Sequence, residues 1–266
     1  GYALNASLNL YEVTLIEKYK NAALSYGNYI LQCQQQENLA TNISLKGFFY
    51  QDSTREDIMH YEHRGHEQEP VLGLVRLCEF FPENANAEKW KKAIRLYADY
   101  YKDITDYTDP YFMIPAGIYD LSKAEDKVER EQIQSGVRLN ERYYLKSFPT
   151  WESFRGNSGT ILSQAKGLTK IGRYLEDRRL EILAYRQLEW HLGLNPFNQS
   201  LMYGEGYRYG NQYSAMSGNI VGGLPVGVQT HFNRDVPYWP AESCYNWKEI
   251  WVHPSNRWLW IMSDFY

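Results

Sequence analysis

The sequence predicts an all-α fold built of antiparallel helical hairpins that follow one another in a toroid-like series. Two observations carry that expectation. Apolar residues recur at helical spacing over several long stretches, which places them on one face of each helix. Polar turns or Gly and Pro breakers of a few residues separate consecutive stretches, so neighbours in sequence are expected to pack side by side. No motif repeats at a fixed period, which argues against a solenoid.

Taken in order, Leu15, Tyr19, Ala22, Ala23, Tyr26, Ile30 and Cys33 define a first long helix that stops near Gln36. Lys46-Gly-Phe-Phe-Tyr50 is aromatic and short, better suited to an extended segment. Pro70 sits where a helix's first turn tolerates it, and Val71, Leu74, Val75 and Cys78 carry the next stripe until Phe81-Pro82. Trp90, Ala93, Ile94, Tyr97, Tyr101 and Ile104 form a third. Tyr111–Asp120 reads as irregular, and Leu121–Arg142 as a solvated helix or loop. Ile161, Leu162, Ala165, Leu168, Ile171 and Leu175 give one helix, and Leu180, Leu183, Ala184, Leu188 and Leu192 its partner across the turn Glu176-Asp-Arg-Arg179. Gly193 and Pro196 end that hairpin in the usual order. A last helix is expected from Tyr245 to Phe265, kinked or split at Pro254.

Composition narrows the function. With 266 residues and 44% hydrophobic content the chain can bury a sizeable core, and we expect a single domain over residues 1–266. A net charge of −4 leaves no basic field for a phosphate backbone, so nucleic acid is not an expected partner. No apolar run is long enough to span a membrane. The 24 Tyr and 8 Trp supply flat rings with polar tips, which stack on sugar rings as well as filling cores. Cys33, Cys78 and Cys244 lack metal-type spacing; the first two fall on core faces and read as buried thiols. Neither a cofactor nor a metal is expected.

Four motifs run in order through the second half: Trp151-Glu-Ser-Phe-Arg-Gly-Asn-Ser-Gly-Thr160, Leu192-Gly-Leu-Asn-Pro-Phe-Asn-Gln-Ser200 with Tyr203-Gly-Glu-Gly206, Gly222-Gly-Leu-Pro-Val-Gly-Val-Gln229, and Tyr245-Asn-Trp-Lys-Glu249. Together they resemble the C-terminal part of glycoside hydrolase family 9. The resemblance implies an (α/α)6-type barrel, hydrolysis of β-glycosidic bonds with inversion, a carbohydrate substrate, and secretion or a periplasmic location. It also implies that Glu249 is the catalytic proton donor, and aromatic neighbours such as Tyr245, Trp247 and Trp251 suit an acid role. The family's Asp-Ala-Gly-Asp motif, which carries the base, does not occur here. The base is therefore expected upstream, and the chain is expected to be an incomplete or C-terminal part of the ring whose partner is the N-terminal part of the same enzyme.

The family's His-His-Arg sugar-binding motif is also absent; Gln212, Tyr213 and Ser214 stand in roughly its place. The substrate is thus expected to differ from plain cellulose. Substrate-binding candidates are His63, Arg64, His66, Trp151, Tyr203, Gln212, Tyr213, His231, Arg234 and Trp247. His63 and His66 are expected to share a pocket with Trp151, and Asp235 is a weaker candidate for a second carboxylate. His191 reads as core packing. Two rival readings stay open: a polysaccharide lyase on an α-toroid, using Tyr and His, and a non-catalytic carbohydrate-binding homologue.

Overall fold

The structure is a computed structural model that describes residues 1–41, 43, 45–60, 65–150, 156–213, 218–230 and 232–266. Two of its helical hairpins are those the sequence predicts, and a further one pairs the expected first helix with a helix ahead of it that the periodicity did not reveal. Helix α1 (Tyr2–Thr14) turns at Leu15, which adopts a left-handed conformation, into α2 (Glu17–Gln32). Helices α3 (Gln68–Phe80) and α4 (Ala87–Thr105) form the next hairpin, and α6 (Ser158–Leu175) and α7 (Arg178–His191) the third. Turns this short leave the second helix no path but back along the first. Helix α6 packs against α3, α4, α7 and the last helix α9 (Val252–Met262), while α1 packs against α2 and α3.

Hydrophobic periodicity explains α6. Ile161, Leu162, Ala165, Leu168 and Ile171 are all buried, and because neighbours cover several sides, polar residues such as Ser163, Gln164 and Thr169 are buried with them. Helix α4 contributes Trp90, Ile94, Tyr97, Tyr101 and Ile104 to the same core. Each such side chain contributes on the order of 1.5–3 kcal/mol by leaving water. Polar ties fix the register between elements. The Gln34 amide donates to the Gly47 and Ala93 carbonyls, at 2.8 and 2.9 Å, and Gln187 accepts from the Ile114 amide at 2.9 Å. Lys166 latches α6 to the chain's end, donating to the Trp260 carbonyl at 3.2 Å and pairing with Asp264. Cys33 and Cys78 are buried free thiols.

Three expectations need correction. Leu15 and Tyr26 belong to no buried stripe; both are exposed, and α2 buries Ala23, Gly27, Ile30 and Leu31 instead. The segment read as a solvated helix or loop contains a short helix, α5 (Lys127–Gln134), capped by Asp126, and then β2 (Val137–Arg138). A three-stranded antiparallel sheet of order β1-β3-β2 forms with β1 (Gly117–Asp120) and β3 (Tyr143–Lys146). Four-residue strands carry too little alternation to be seen, and β1 and β3 pair across more than twenty residues. The last helix does split, but ahead of Pro254. Helix α8 (Tyr245–Lys248) ends and α9 begins at Val252, so Pro254 occupies the first turn of α9, where its missing N–H costs nothing. No described helix is long and apolar enough to cross a membrane.

Leu168 is fully enclosed in α6, and Leu168→Ala is expected to lower stability by about 2–5 kcal/mol while leaving the helical circular dichroism spectrum intact below the transition. A urea midpoint within error of the parent's would show that α6 is not the core helix.

Candidate active site

The site is organised by the first turn of α6, whose leading N–H groups have no partner inside the helix. A loop supplies one: Asn157 N donates to Val228 O and Ser158 N to Val226 O, both at 3.1 Å. Main chain therefore lies against main chain, and side chains must be absent at the crossing. Gly227 has φ of 116°, and a Cβ there would sit 2.3 Å from Ser158 Oγ. The same turn is also met by Gly65, where a Cβ would sit 2.5 Å from Gly159 O.

Gly65 leads into His66, Glu67 and the start of α3. Arg257, from α9, donates to the Gly65 carbonyl and lies 3.0 Å from His66 Nδ1, which Tyr2 also meets through its hydroxyl. Glu67 is buried, and its Oε2 accepts from the His66 amide at 2.8 Å. Burial pushes its carboxyl up to about 7, opposed by backbone donors and the Arg257 charge. The guanidinium of Arg257 is itself pulled down by burial.

The loop's other edge carries Glu249. Gly227 N donates to Trp247 O at 3.1 Å, Val226 N to Glu249 O at 2.9 Å, and Trp251 N to Leu224 O at 3.0 Å. Tyr213 N reaches Lys248 O at 2.9 Å, so the run is stitched on both sides. Glu249 and Trp251 have extended backbone. Alternation then puts Glu249 and Trp251 on one face and Ile250 on the other, where Ile250 contacts Gly223. Glu249 pairs with Tyr213 in a parallel bridge, which puts the Tyr213 side chain on the face of the Glu249 carboxylate. Trp251 Nε1 donates to Glu249 Oε2 at 2.7 Å. The Tyr213 ring meets that of Tyr245 edge-on, with centroids 5.9 Å apart. Lys248 points inward, donating to Asn211 Oδ1 at 2.7 Å and Ala241 O at 3.0 Å above the Trp239 ring; burial pulls its ammonium pKa down.

Among the sequence candidates, Glu249, Tyr213, Gln212, Trp247 and Tyr203 share this hydrogen-bonded loop cluster. Gln212 is buried and donates to Gly218 O at 3.1 Å. Trp247 packs edge-on against Tyr238, and Tyr203 bonds through its main chain to Gly223 and Gly222. His66 stands apart from this cluster, meeting Tyr2, Arg257 and Glu67. Arg234 is exposed, one residue before Asp235. Asp235 itself is a tether: it pairs with buried Lys146 at 3.2 Å and accepts from the Ser147 and Phe148 amides at 2.7 and 3.0 Å. Those bonds occupy both of its oxygens, which argues against a role as base. His63, Arg64, Trp151 and His231 lie outside the described residues, so the shared pocket expected of His63, His66 and Trp151 does too. Residues flanking two of those segments, His60 and Thr150, line one polar cleft of ≈ 360 Å3. His60 stacks on Tyr119 there, with centroids 3.9 Å apart, and burial pulls its imidazole down to about 4.

Sequence reasoning missed Arg257, Glu67 and the pairing of Trp251 with Glu249. For the last a signal existed: had the helix break been placed at 249–251, the i, i+2 spacing would have put both side chains on one face.

No family model and no curated protein matches the chain. Among solved structures, the crystal structure of the cellulase Cel9M of C. cellulolyticum is similar, with a TM-score of 0.55 at 14% sequence identity over 98% of this chain and 48% of that one. The chain thus spans about half the length of that structure, and the likeness is one of fold: a helical toroid of antiparallel hairpins.

Gly227→Ala is expected to cost about 1–3 kcal/mol from its left-handed backbone alone, more with the Ser158 clash, and to shift Trp fluorescence from the 247–251 run. Unchanged stability would remove the crossing from its organising role. A pH series tests the buried groups. His191 is fully buried and held near 4, so its share of stability is complete above 6.5 and fades as pH falls towards 4. Glu67 works in reverse: held near 7, its share is complete below 4.5 and fades as pH rises through 7. The two oppose one another, so Glu67→Gln should make the urea midpoint climb more steeply between pH 4.5 and 7 than in the parent. An identical slope would mean that Glu67 is not held protonated.

Proposed function

We propose that this chain is the acid-bearing part of a glycoside hydrolase related to family 9, cleaving β-linked oligo- or polysaccharides with inversion. The observation that carries the reading is the fixation of Glu249. Its main chain is bonded on one side to the loop over α6 and its neighbour's on the other to Tyr213, while its carboxylate is oriented by Trp251. The order of the motifs along the chain and the shared fold with a cellulase support it.

In this reading Glu249 protonates the glycosidic oxygen as the bond breaks. Tyr213, Tyr203 and Trp247 build the sugar-facing side, with rings to stack and hydroxyls to bond, and buried Gln212 supports the loop behind them through Gly218 O. The net charge of −4 favours a neutral saccharide over a uronate, which weighs against lyase chemistry. An inverting enzyme needs a second carboxylate, roughly 6.5–9.5 Å from the acid, to activate water. Asp235 is engaged elsewhere, so we place the base in further hairpins of the ring, in the same enzyme but beyond the half that this chain spans. Action outside the cytoplasm fits a polymeric substrate.

Glu249→Gln in the intact enzyme is expected to lower kcat by about 10²–10⁴-fold with KM little changed. Reducing ends released at the parent rate would overturn the acid role. Products absorbing as unsaturated sugars would instead establish a lyase.

A further inference from the structure

The face that carries Glu249 also carries Trp251, the donor to its carboxylate. Trp251 is locked at both ends of its main chain: its N–H bonds to Leu224 O at 3.0 Å, and its carbonyl accepts from Ser255 Oγ at 3.0 Å. Ser255 Oγ in turn accepts from the Leu224 amide at 3.0 Å. The extended backbone from 249 to 251 then brings the indole back over the preceding carboxylate, where Nε1–H donates to Glu249 Oε2 at 2.7 Å.

We propose that Trp251 is the positioning residue of the general acid, dictating which oxygen of Glu249 carries the transferable proton; this rests on the glycosidase reading above. An indole N–H donates and never accepts, so it takes no proton from the carboxyl. Oε2 already accepts the indole hydrogen, and a protonated carboxyl oxygen is a poorer acceptor than the carbonyl oxygen beside it, so a proton on Oε2 would weaken that bond. The proton is therefore directed to Oε1, which is left to face the leaving oxygen. Once it moves to that oxygen, Glu249 becomes a carboxylate and the same N–H bond becomes charge-assisted, roughly doubling in strength. Stabilisation that grows along the reaction coordinate lowers the barrier without tightening substrate binding. The effect should thus appear in kcat and leave KM alone.

The experiment compares two substrates in the intact enzyme: a saccharide, whose leaving alcohol needs protonation, and an aryl glycoside of the same sugar, whose phenolate leaves without it. Trp251→Phe keeps an aromatic ring and removes the donor. It is expected to lower kcat about tenfold or more on the saccharide, to change kcat on the aryl glycoside less than about twofold, and to leave both KM values unchanged. Equal losses on both substrates, or no loss on either, would overturn the proposal, because a merely structural role does not distinguish leaving groups. Glu249→Gln is assayed in parallel. If it retains activity on the saccharide, the glycosidase reading fails; if it is inactive while Trp251→Phe is not impaired, only the role of Trp251 fails. Should Trp251→Phe not fold, the indole N–H resonance of Trp251 in the otherwise native enzyme decides. Glu249→Gln shifts it more than any other Trp N–H if the pair exists, and an unmoved resonance refutes the pair.

Discussion

Everything at the candidate site depends on one close passage, that of residues 222–228 over the first turn of α6. Two helix N–H groups that would otherwise need water or a side-chain cap are bonded to Val226 and Val228 carbonyls, and the loop's opposite edge is thereby presented to the 247–251 run. The crossing has no room for a Cβ at Gly227, because Ser158 already fills the space. An ordinary loop would be held by side chains that can swing. Here the bonds are between backbones, so the position of Glu249 is set by α6, the best-buried helix of the described core.

Three cations that hold the loops of this half of the chain are buried. Arg257, Lys248 and Lys146 are each nearly or fully enclosed, and burial pulls the pKa of each down. A buried charge is stable only when its donors are matched. Lys146 finds Asp235 and the Gln132 carbonyl; Lys248 finds Asn211, Ala241 and the face of Trp239; Arg257 finds Gly65 and His66. Lys248 and Arg257 end on the loop carbonyls of Ala241 and Gly65, and Lys146 ties the loop residue Asp235 to the Gln132 carbonyl of α5, so their common effect is to pin irregular backbone where no helix or sheet ladder can hold it. Rigid irregular backbone is what a site built from loops needs.

The two faces of the 249–251 run divide the labour. Ile250 faces the protein and contacts Gly223, whereas Glu249, Trp251 and the bridged Tyr213 share the other side. A carboxyl flanked by rings and oriented by a donor that cannot accept a proton is suited to giving one up in a defined direction. Arg257, bonded to Gly65 and His66, holds a second glycine crossing against the same first turn of α6, that of Gly65 on Gly159.

By itself the sequence determined the α3–α4 and α6–α7 hairpins, because an amphipathic stripe of 3.6-residue period is local information, whereas α1 carries too weak a stripe to be read. Ser158–Leu175 and Arg178–His191 were legible to within a residue. The motifs at 192–206, 222–229 and 245–249 marked the loop cluster that the fold assembles, and Glu249, Tyr213, Gln212, Trp247 and Tyr203 do meet there. What only the tertiary structure decided was everything that rests on pairing across distance. The sheet of β1, β3 and β2 was invisible because four residues carry no readable period. The break after Lys248 has no local signal, since nothing in the neighbouring residues shows that the Lys248 and Glu249 carbonyls accept from Tyr213 and Val226 and that the Trp251 amide donates to Leu224. Asp235, one carboxylate among many in sequence, became a tether once Lys146 was beside it. A helix writes its contacts into neighbouring residues, whereas loops and bridges draw theirs from segments tens of residues away.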